Sequence, residues 1–265
     1  MQAIHITDNY LINPTNPVTV NVIGAGGTGS NFFMALAKMN HALTVLGHPG
    51  LAVSLYDDDI ITEANPGRQL FAETEVGLYK SSVLVNRVNR FFGTNWKAIT
   101  QKFGTGEPND FPDEGKANLF ISCVDNVGAR FGIAGVLKNF KETSRYERNK
   151  PLYWMDLGNG RQTGQAILST VQPIEQPPSE KYRTVASLPQ VTDEFRVLLD
   201  ESGRYDDTPS CSLAEALEKQ DLFINSTLAN LGASLLWQLF REGILFNRGF
   251  FLNLNDFRTQ PLKVA

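Results

Sequence analysis

The alternation of apolar and polar residues divides this chain into short strands and longer helices. Short runs rich in apolar or β-branched residues are typical of buried strands. They lie at residues 18–23, 51–56, 118–124 and 151–156. Apolar residues that recur every three or four positions predict helices at 28–44, 80–92, 127–140 and 223–241. Strands that alternate with helices predict an α/β fold, here a Rossmann-like doubly wound sheet.

The composition fits one soluble domain. The chain has 265 residues, of which 42% are hydrophobic, which is ample for one core. Its net charge of −4 argues against general binding to nucleic acid or to a membrane. Cys123 and Cys211 form no C-x-x-C pair and the three histidines form no cluster, so neither a disulfide framework nor a zinc site is predicted. Without a signal peptide or a transmembrane run, we expect a protein of the reducing cytoplasm.

The first predicted strand runs into the glycine-rich turn G-A-G-G-T-G-S, which contains Gly24, Gly26, Gly27, Gly29 and Ser30. A helix that opens after such a turn offers free N–H groups and a positive dipole end to a phosphate. The spacing fits the dinucleotide fingerprint, but the P-loop lysine is missing after the last glycine. A bound triphosphate would therefore need cations from elsewhere in the chain. The alternative is that the glycines serve only close packing of strand and helix.

An acidic run follows the second strand, at Asp57, Asp58 and Asp59. In a doubly wound sheet the ligands lie beyond the carboxyl ends of the strands, where an acid can accept hydrogen bonds from both ribose hydroxyls. Asp57 is the best placed because it follows the strand directly. The alternative is a solvated turn.

Three later motifs complete a family pattern: N-P-G-R-Q at 65–69, Lys80 at the start of a helix, and C-V-D-N at 123–126. With the glycine turn and the acidic run, they resemble the ThiF/MoeB/HesA proteins, the E1-like enzymes that activate ubiquitin-like proteins. Within that family the chain resembles the ThiF-family protein of PRTRC gene systems. The resemblance covers residues 18–165 well and the C-terminal third loosely.

The resemblance implies a site for ATP and Mg²⁺. The implied ATP ligands are Gly24, Gly26, Gly27, Gly29, Ser30, Asp57, Asp59, Asn65, Arg68, Gln69 and Lys80. Adenylation builds charge on phosphate oxygens, so Arg68 and Lys80 would act as catalytic cations and Asp125 would hold the metal. The alternatives are a solvated surface lysine, an arginine in a loop ion pair, and a cap for the helix at 127–140 supplied by Asp125 and Asn126.

The family pattern implies a single adenylation domain over residues 1–265. Residues 18–171 would form the nucleotide-binding core, 172–211 a crossing loop and linker, and 212–265 the C-terminal helices and strands. Residues 165–171, 250–254 and 262–264 resemble the mixed or antiparallel second half of the family sheet, whereas the N-terminal half is parallel. The four prolines within 172–190 predict no regular structure there. That stretch either closes over a substrate tail or is a plain linker.

Cys211 stands directly before a capping box formed by Ser212 and Glu215. A helix dipole lowers the pKa of a thiol at that position, whereas the acids Asp206, Asp207 and Glu215 oppose this, so Cys211 is a candidate nucleophile whose pKa the sequence leaves open. The resemblance to E1-like enzymes implies that it would form a thioester. A structural cysteine is the alternative. Cys123, inside an apolar strand, belongs to the core.

The sequence therefore favours an adenylyltransferase that activates the C-terminal carboxylate of a small ubiquitin-like or sulfur-carrier protein of β-grasp fold, with or without transfer to Cys211. A homodimer is expected from the family. The chain departs from the family pattern in two ways. Many relatives place an arginine from the N-terminal segment in the partner subunit's ATP site, but here no arginine precedes Arg68. The family's zinc-binding cysteine pairs are also absent. The rival is a nucleotide-binding interaction module with an impaired or partner-dependent site. An NAD-dependent oxidoreductase fits less well, because Arg68 and Lys80 would have no role in it.

Overall fold

A computed structural model of the chain describes residues 1–104, 115–140, 148–202 and 220–265. The strands are β1 (Ala3–Ile6), β2 (Val18–Ile23), β3 (Leu51–Tyr56), β4 (Lys97–Ile99), β5 (Leu119–Ser122), β6 (Tyr153–Asn159), β7 (Thr163–Thr170), β8 (Arg183–Thr184), β9 (Ile244–Leu245), β10 (Asn247–Asn253) and β11 (Arg258–Lys263). The helices are α1 (Asn9–Ile12), α2 (Gly27–Val45), α3 (Lys80–Phe92), α4 (Val127–Asn139), α5 (Val191–Glu194), α6 (Arg196–Ser202) and α7 (Ile224–Arg241), with one 3-10 turn at Glu73–Glu75.

The described part of the chain contains one large sheet in the order β11-β10-β7-β6-β5-β2-β3-β4. The pairs among strands β2 to β6 are all parallel, while the pairs β6–β7, β7–β10 and β10–β11 are antiparallel. This confirms the predicted fold class, with a parallel N-terminal half and a mixed C-terminal half. The strand order reverses between β2 and β5, so the crevice for a ligand lies at the carboxyl ends of these two strands.

Helices cover both faces of the sheet because the strands alternate apolar side chains between them. On one face, Val20 and Val22 of β2 pack with Phe32 and Phe33 of α2 and with Leu228 of α7. A second apolar cluster contains Ile23, Phe120 and Trp154 from the strands together with side chains from α4, α5 and α6. These contacts hold α2 and α4 against the sheet. No helix among the described residues has the length and apolar character that a membrane span requires.

The stretch at 172–190, called the crossing segment below, is tied down by the N-terminus. Strand β8 lies in it and pairs with β1, which also pairs with β9. The Gln176 side chain continues this pairing, because it accepts a hydrogen bond from Ile6 N at 2.8 Å and donates one to Ile6 O at 2.9 Å. The prediction of no regular structure here was therefore wrong for Arg183–Thr184. A two-residue strand forms only when it pairs with a strand from elsewhere in the chain, and local composition does not reveal that pairing.

His5 of β1 joins the crossing segment to the main sheet. Its Nδ1 lies 2.6 Å from Val185 O and its Nε2 lies 2.9 Å from the Tyr153 hydroxyl, which also accepts a hydrogen bond from Asp8 N at 3.1 Å. This set of partners fits a neutral ring with its proton on Nδ1. Burial lowers the pKa of His5 from its ordinary value of 6.5, although Val185 O and Asp8 oppose the shift. Burial also raises the pKa of the Tyr153 hydroxyl.

We predict that His5 makes the stability of the fold depend on pH. Below pH 6.5 the unfolded chain takes up a proton that the folded chain resists, so stability is lost as the pH falls toward the lowered folded pKa. The slope approaches about 1.4 kcal/mol per pH unit for one proton. Urea unfolding between about pH 7.5 and pH 5.5 measures it.

His5→Gln should reduce this slope, whereas the control His41→Gln, at an exposed position, should keep it. Equal slopes in His5→Gln and the wild type would contradict the prediction.

Candidate nucleotide-binding site

The glycine turn joins β2 to α2 at the switch point of the sheet. Gly24 has a φ of +96°, and a Cβ there would lie 2.8 Å from Cys123 O. A Cβ on Gly29 would lie 1.9 Å from Gly24 O, and one on Gly27 would lie 2.5 Å from Asn225 Nδ2. Close packing therefore requires a glycine at these three positions. A Cβ on Gly26 would meet no described residue within 4 Å, so at this glycine the backbone borders open space in front of the helix.

Asp57 connects the glycine turn to the end of β3. Its Oδ2 accepts a hydrogen bond from Ala25 N at 2.6 Å and its Oδ1 accepts one from Asp59 N at 3.0 Å. Burial raises the pKa of Asp57, while the bond from Ala25 and the charge of Lys80 oppose the rise. Asp57 thus belongs to a fixed turn and not to a solvated one. Its contact with a ribose stays a prediction.

Lys80 is the first residue of α3, and its ammonium group lies next to Asp59 of the acidic run. The Nζ atom lies 2.8 Å from Asp59 Oδ2, and the Lys80 side chain is 9% exposed whereas that of Asp59 is 65% exposed. Lys80 N also donates to Asp59 O at 3.0 Å. Lys80 is therefore not a solvated surface lysine. It is a buried cation whose counter-ion faces water.

Arg68 has a different environment. Its NH1 donates to Gln220 Oε1 at 2.9 Å, and its buried Nε has no hydrogen-bond partner among the described residues. Burial lowers the pKa of Arg68, and the charge of Asp125 opposes this. Among the described residues no carboxylate lies within ion-pair distance of Arg68, so the alternative of a loop ion pair finds no support there. The guanidinium is a partly desolvated cation with unused hydrogen-bonding capacity.

The neighbours of Arg68 shape its loop. Asn65 is buried, and its Oδ1 accepts a hydrogen bond from Thr62 N at 2.8 Å. The buried Oε1 of Gln69 has no hydrogen-bond partner in the described part of the chain. Ser30 is fully buried, with its hydroxyl 3.2 Å from Gly27 O and 3.5 Å from Leu70 N. Ser30 therefore links the loop to α2, and direct contact of its hydroxyl with a nucleotide would require that link to change.

The cap of α4 and the candidate metal ligand are two different residues, Asn126 and Asp125. Asn126 caps α4, because its Oδ1 accepts a hydrogen bond from Ala129 N at 2.7 Å. Asp125 is exposed and lies 3.3 Å from Asn126 Nδ2, so its carboxylate is accessible. No cluster of three His, Cys, Asp or Glu side chains in the described ranges could hold a metal by itself. A lone carboxylate still suits Mg²⁺, which commonly takes one or two carboxylates and fills its shell with water and phosphate oxygens.

Sequence reasoning missed a buried ion pair next to Asp125. Arg130 Nε lies 3.2 Å from both Asp156 carboxylate oxygens, and Arg130 NH2 donates to Val124 O at 2.7 Å. Ser122 Oγ also donates to Asp156 Oδ1 at 2.6 Å. The pair holds the turn that carries Asp125. The indication of this ion pair in the sequence is a charged residue, Asp156, within the apolar run of β6.

A polar network at the start of α7 was also missed. It contains Thr28, Asn159, Gln220 and Asn225, which lie far apart in sequence. Cys123 packs against the core, and burial raises the pKa of its thiol. Cys211, Ser212 and Glu215 lie outside the described residues.

Comparison with known proteins identifies the family to which the chain belongs. The ThiF family matches residues 15–241, and the chain therefore belongs to the ThiF family. A search of curated proteins finds no significant match.

Solved structures with a similar fold include PaaA, with a TM-score of 0.59 at 14% identity, where the match covers 94% of this chain and 73% of PaaA. Escherichia coli MccB bound to AMPCPP and MccA has a TM-score of 0.57 at 14% identity, covering 94% of this chain and 64% of MccB. MccB with MccA has a TM-score of 0.56 at 15% identity, covering 97% of this chain and 65% of MccB. The chain thus spans slightly less than two thirds of MccB, and these identities establish a shared fold.

We predict that a substitution at Gly26 affects mainly ligand binding, whereas one at Gly29 affects mainly the stability of the fold. Gly26→Ala places a methyl group in open space at a φ of −70°, so stability should stay within about 1 kcal/mol of wild type. Binding of an ATP analogue should weaken by about tenfold or more, equivalent to about 1.4 kcal/mol. Gly29→Ala should destabilise the fold by about 3 kcal/mol, because its methyl overlaps Gly24 O.

Calorimetric binding and thermal unfolding of both variants test this contrast. The space in front of Gly26 would not be the phosphate site if Gly26→Ala bound the analogue as tightly as the wild type.

Proposed function

We propose that the chain is an ATP-dependent adenylyltransferase that activates the C-terminal carboxylate of a small protein. The observation that carries the proposal is the pair of cations, Arg68 and Lys80, gathered beside a glycine turn that lacks the P-loop lysine. A site for a dinucleotide alone would have no use for both. Membership of the ThiF family and the fold shared with MccB, which was solved with AMPCPP and MccA, support the same assignment.

In this reaction a carboxylate oxygen of the substrate bonds to the α-phosphorus of ATP, and the bond from that phosphorus to pyrophosphate breaks. The leaving pyrophosphate carries the electron pair, so negative charge grows on phosphate oxygens. Arg68 and Lys80 would meet this charge as fixed, partly desolvated cations, which cost no reorganisation when charge develops. The Gly26 backbone would border the phosphates, and Asp57 would orient the ribose through lone pairs not used by Ala25 and Asp59.

Asp125 would hold Mg²⁺ together with oxygens of the bound phosphates. A bound Mg²⁺ ion supplies further positive charge to those oxygens. The residues of this chain fit the ion through donor chemistry, since the Asp125 carboxylate is exposed and Asn126 alone caps α4. Arg130 and Asp156 would keep the Asp125 turn in place.

The proposed partner is a small ubiquitin-like or sulfur-carrier protein of β-grasp fold, as the resemblance to the E1-like enzymes implies. A homodimer in the cytoplasm is part of the proposal. The apolar side chains of Ile60, Leu78 and Tyr79 support an interface next to the site, since they are 50%, 53% and 47% exposed close to Asp59 and Lys80. The net charge of −4 continues to argue against nucleic acid.

A second candidate is a nucleotide-binding module that depends on a partner for activity. Its support is the N-terminal region, which has no arginine before Arg68. That region is also engaged with the crossing segment through β1. An oxidoreductase using NAD has less support, because it leaves the two cations without a role.

ATP–pyrophosphate exchange separates these candidates. The purified chain should exchange labelled pyrophosphate into ATP when a cognate small β-grasp protein with a free C-terminus is added. A version of that protein lacking its terminal residue should support no exchange. Tight ATP binding without exchange for any candidate protein encoded nearby would favour the partner-dependent module instead.

We predict that removing either cation slows exchange. Arg68→Met and Lys80→Met keep most of the side-chain volume and remove the charge, so each should reduce the rate by about a hundredfold or more. Loss of Lys80 leaves Asp59 solvated and should not unfold the chain. Lys38→Met, at an exposed position of α2, is the control and should behave as wild type. Rates within a fewfold of wild type for both site variants would remove them from the mechanism.

We predict that Cys211 decides whether a thioester follows adenylation. If its thiolate attacks the acyl-adenylate, AMP leaves and a covalent adduct with the small protein forms, which thiol reductants cleave. Cys211→Ala should lose this adduct but keep exchange, because adenylation does not use the thiol. Gel electrophoresis with and without reductant measures the adduct, and Cys123→Ala is the control. Normal exchange without a reducible adduct would make this an adenylation-only enzyme.

A further inference from the structure

We propose that Gln220 is a positioning residue that holds Arg68 in the nucleotide site while leaving its positive charge available. The inference rests on the proposed role of Arg68 as a phosphate cation. It concerns a residue that precedes α7 and that no sequence motif marked.

The first argument is geometric. Gln220 Oε1 accepts hydrogen bonds from Arg68 NH1 at 2.9 Å and from Asn225 Nδ2 at 2.8 Å. An amide oxygen has two lone pairs, so these donors use its full capacity and fix the orientation of the Gln220 amide. The link is also the only hydrogen bond from the Arg68 side chain to a described residue. Without Gln220, the guanidinium would lose its anchor within this part of the chain.

The second argument is that the anchor reaches the glycine turn. Asn225 is 3% exposed, and its Oδ1 lies 2.9 Å from the hydroxyl of Thr28, which is 5% exposed. The Asn225 amide also fills the space above Gly27, since a Cβ there would lie 2.5 Å from Asn225 Nδ2. A continuous set of contacts therefore sets the position of Arg68 relative to the backbone that would border the phosphates. Linked hydrogen bonds between buried polar groups restrict the orientation of each member, so this network holds the Arg68 anchor in place.

The third argument is electrostatic. A carboxylate at position 220 would orient Arg68 equally well, but it would also neutralise the charge and repel phosphate. An amide supplies the acceptor without the charge. Burial already disfavours the charged guanidinium, and its only side-chain hydrogen bond to a described residue is the neutral one to Gln220, so its charge remains available to an incoming phosphate oxygen. Lys80 differs, because it is held by the carboxylate of Asp59.

The test is a double-mutant cycle on nucleotide binding with Gln220→Ala, Arg68→Met and the double variant. The probes are a nonhydrolysable ATP analogue and adenosine, measured by calorimetry with thermal unfolding in parallel. Gln220→Ala should weaken the analogue by about tenfold, the usual scale for a hydrogen bond to a charged group, and leave adenosine unchanged. In the Arg68→Met background, Gln220→Ala should have no further effect beyond about twofold.

Two more variants sharpen the result. Gln220→Glu should weaken the analogue at least as much as Gln220→Ala, because it adds a competing carboxylate. Gln238→Ala removes an exposed glutamine of the same α7 helix and should bind as wild type.

Additive losses in the double variant, an equal loss for adenosine, or wild-type affinity in Gln220→Glu would overturn the inference. The cycle needs binding only, so a chain that binds the analogue but supports no exchange contradicts the adenylyltransferase proposal and still tests Gln220. A wild-type chain that binds no ATP analogue overturns both.

Discussion

The contact between Gly29 and the carbonyl of Gly24, where a Cβ would come within 1.9 Å, is the constraint on which the rest of the site depends. It brings the N-terminus of α2 directly onto the end of β2. Gly24 adds a second close approach, to the Cys123 carbonyl after β5. The positive end of a long helix is thereby placed where the strand order reverses, which is where doubly wound folds bind their ligands. Asp57 completes the turn through its bond from Ala25 N.

Around this turn the chain holds two cations by different means. Lys80 is buried against the mostly solvated carboxylate of Asp59, so part of the cost of its burial is offset by an ion pair. Arg68 is held by the neutral amide of Gln220, with burial lowering its pKa. Desolvated cations interact more strongly with phosphate than hydrated ones do, because less water screens the charge. In the proposed function, these two cations supply the charge that a P-loop lysine would otherwise provide.

The surroundings stabilise the edges of the site. Arg130 and Asp156 form an ion pair that is almost completely buried and fixes the turn before α4. Breaking such a pair on one side is costly because it leaves an uncompensated buried charge. Away from the site, the N-terminal strand β1 holds the crossing segment. Strand β8 pairs with β1, His5 contacts Val185 O, and Gln176 accepts a hydrogen bond from Ile6 N. That segment is therefore an ordered part of the fold over its contacts with β1.

The sequence by itself determined the fold class, the order of the main strands and helices, and the motifs of the ThiF family. These follow from local information: apolar periodicity over 18–23 or 80–92, and glycines where a turn is tight. Only the tertiary structure decided that three of the four glycines serve packing, that Lys80 is buried, and that Gln220 contacts Arg68. Residues 68 and 220 are separated by most of the chain, and a two-residue strand such as β8 exists only through its partner. Burial and pairing of this kind arise when distant segments meet, and no local pattern of residues encodes them.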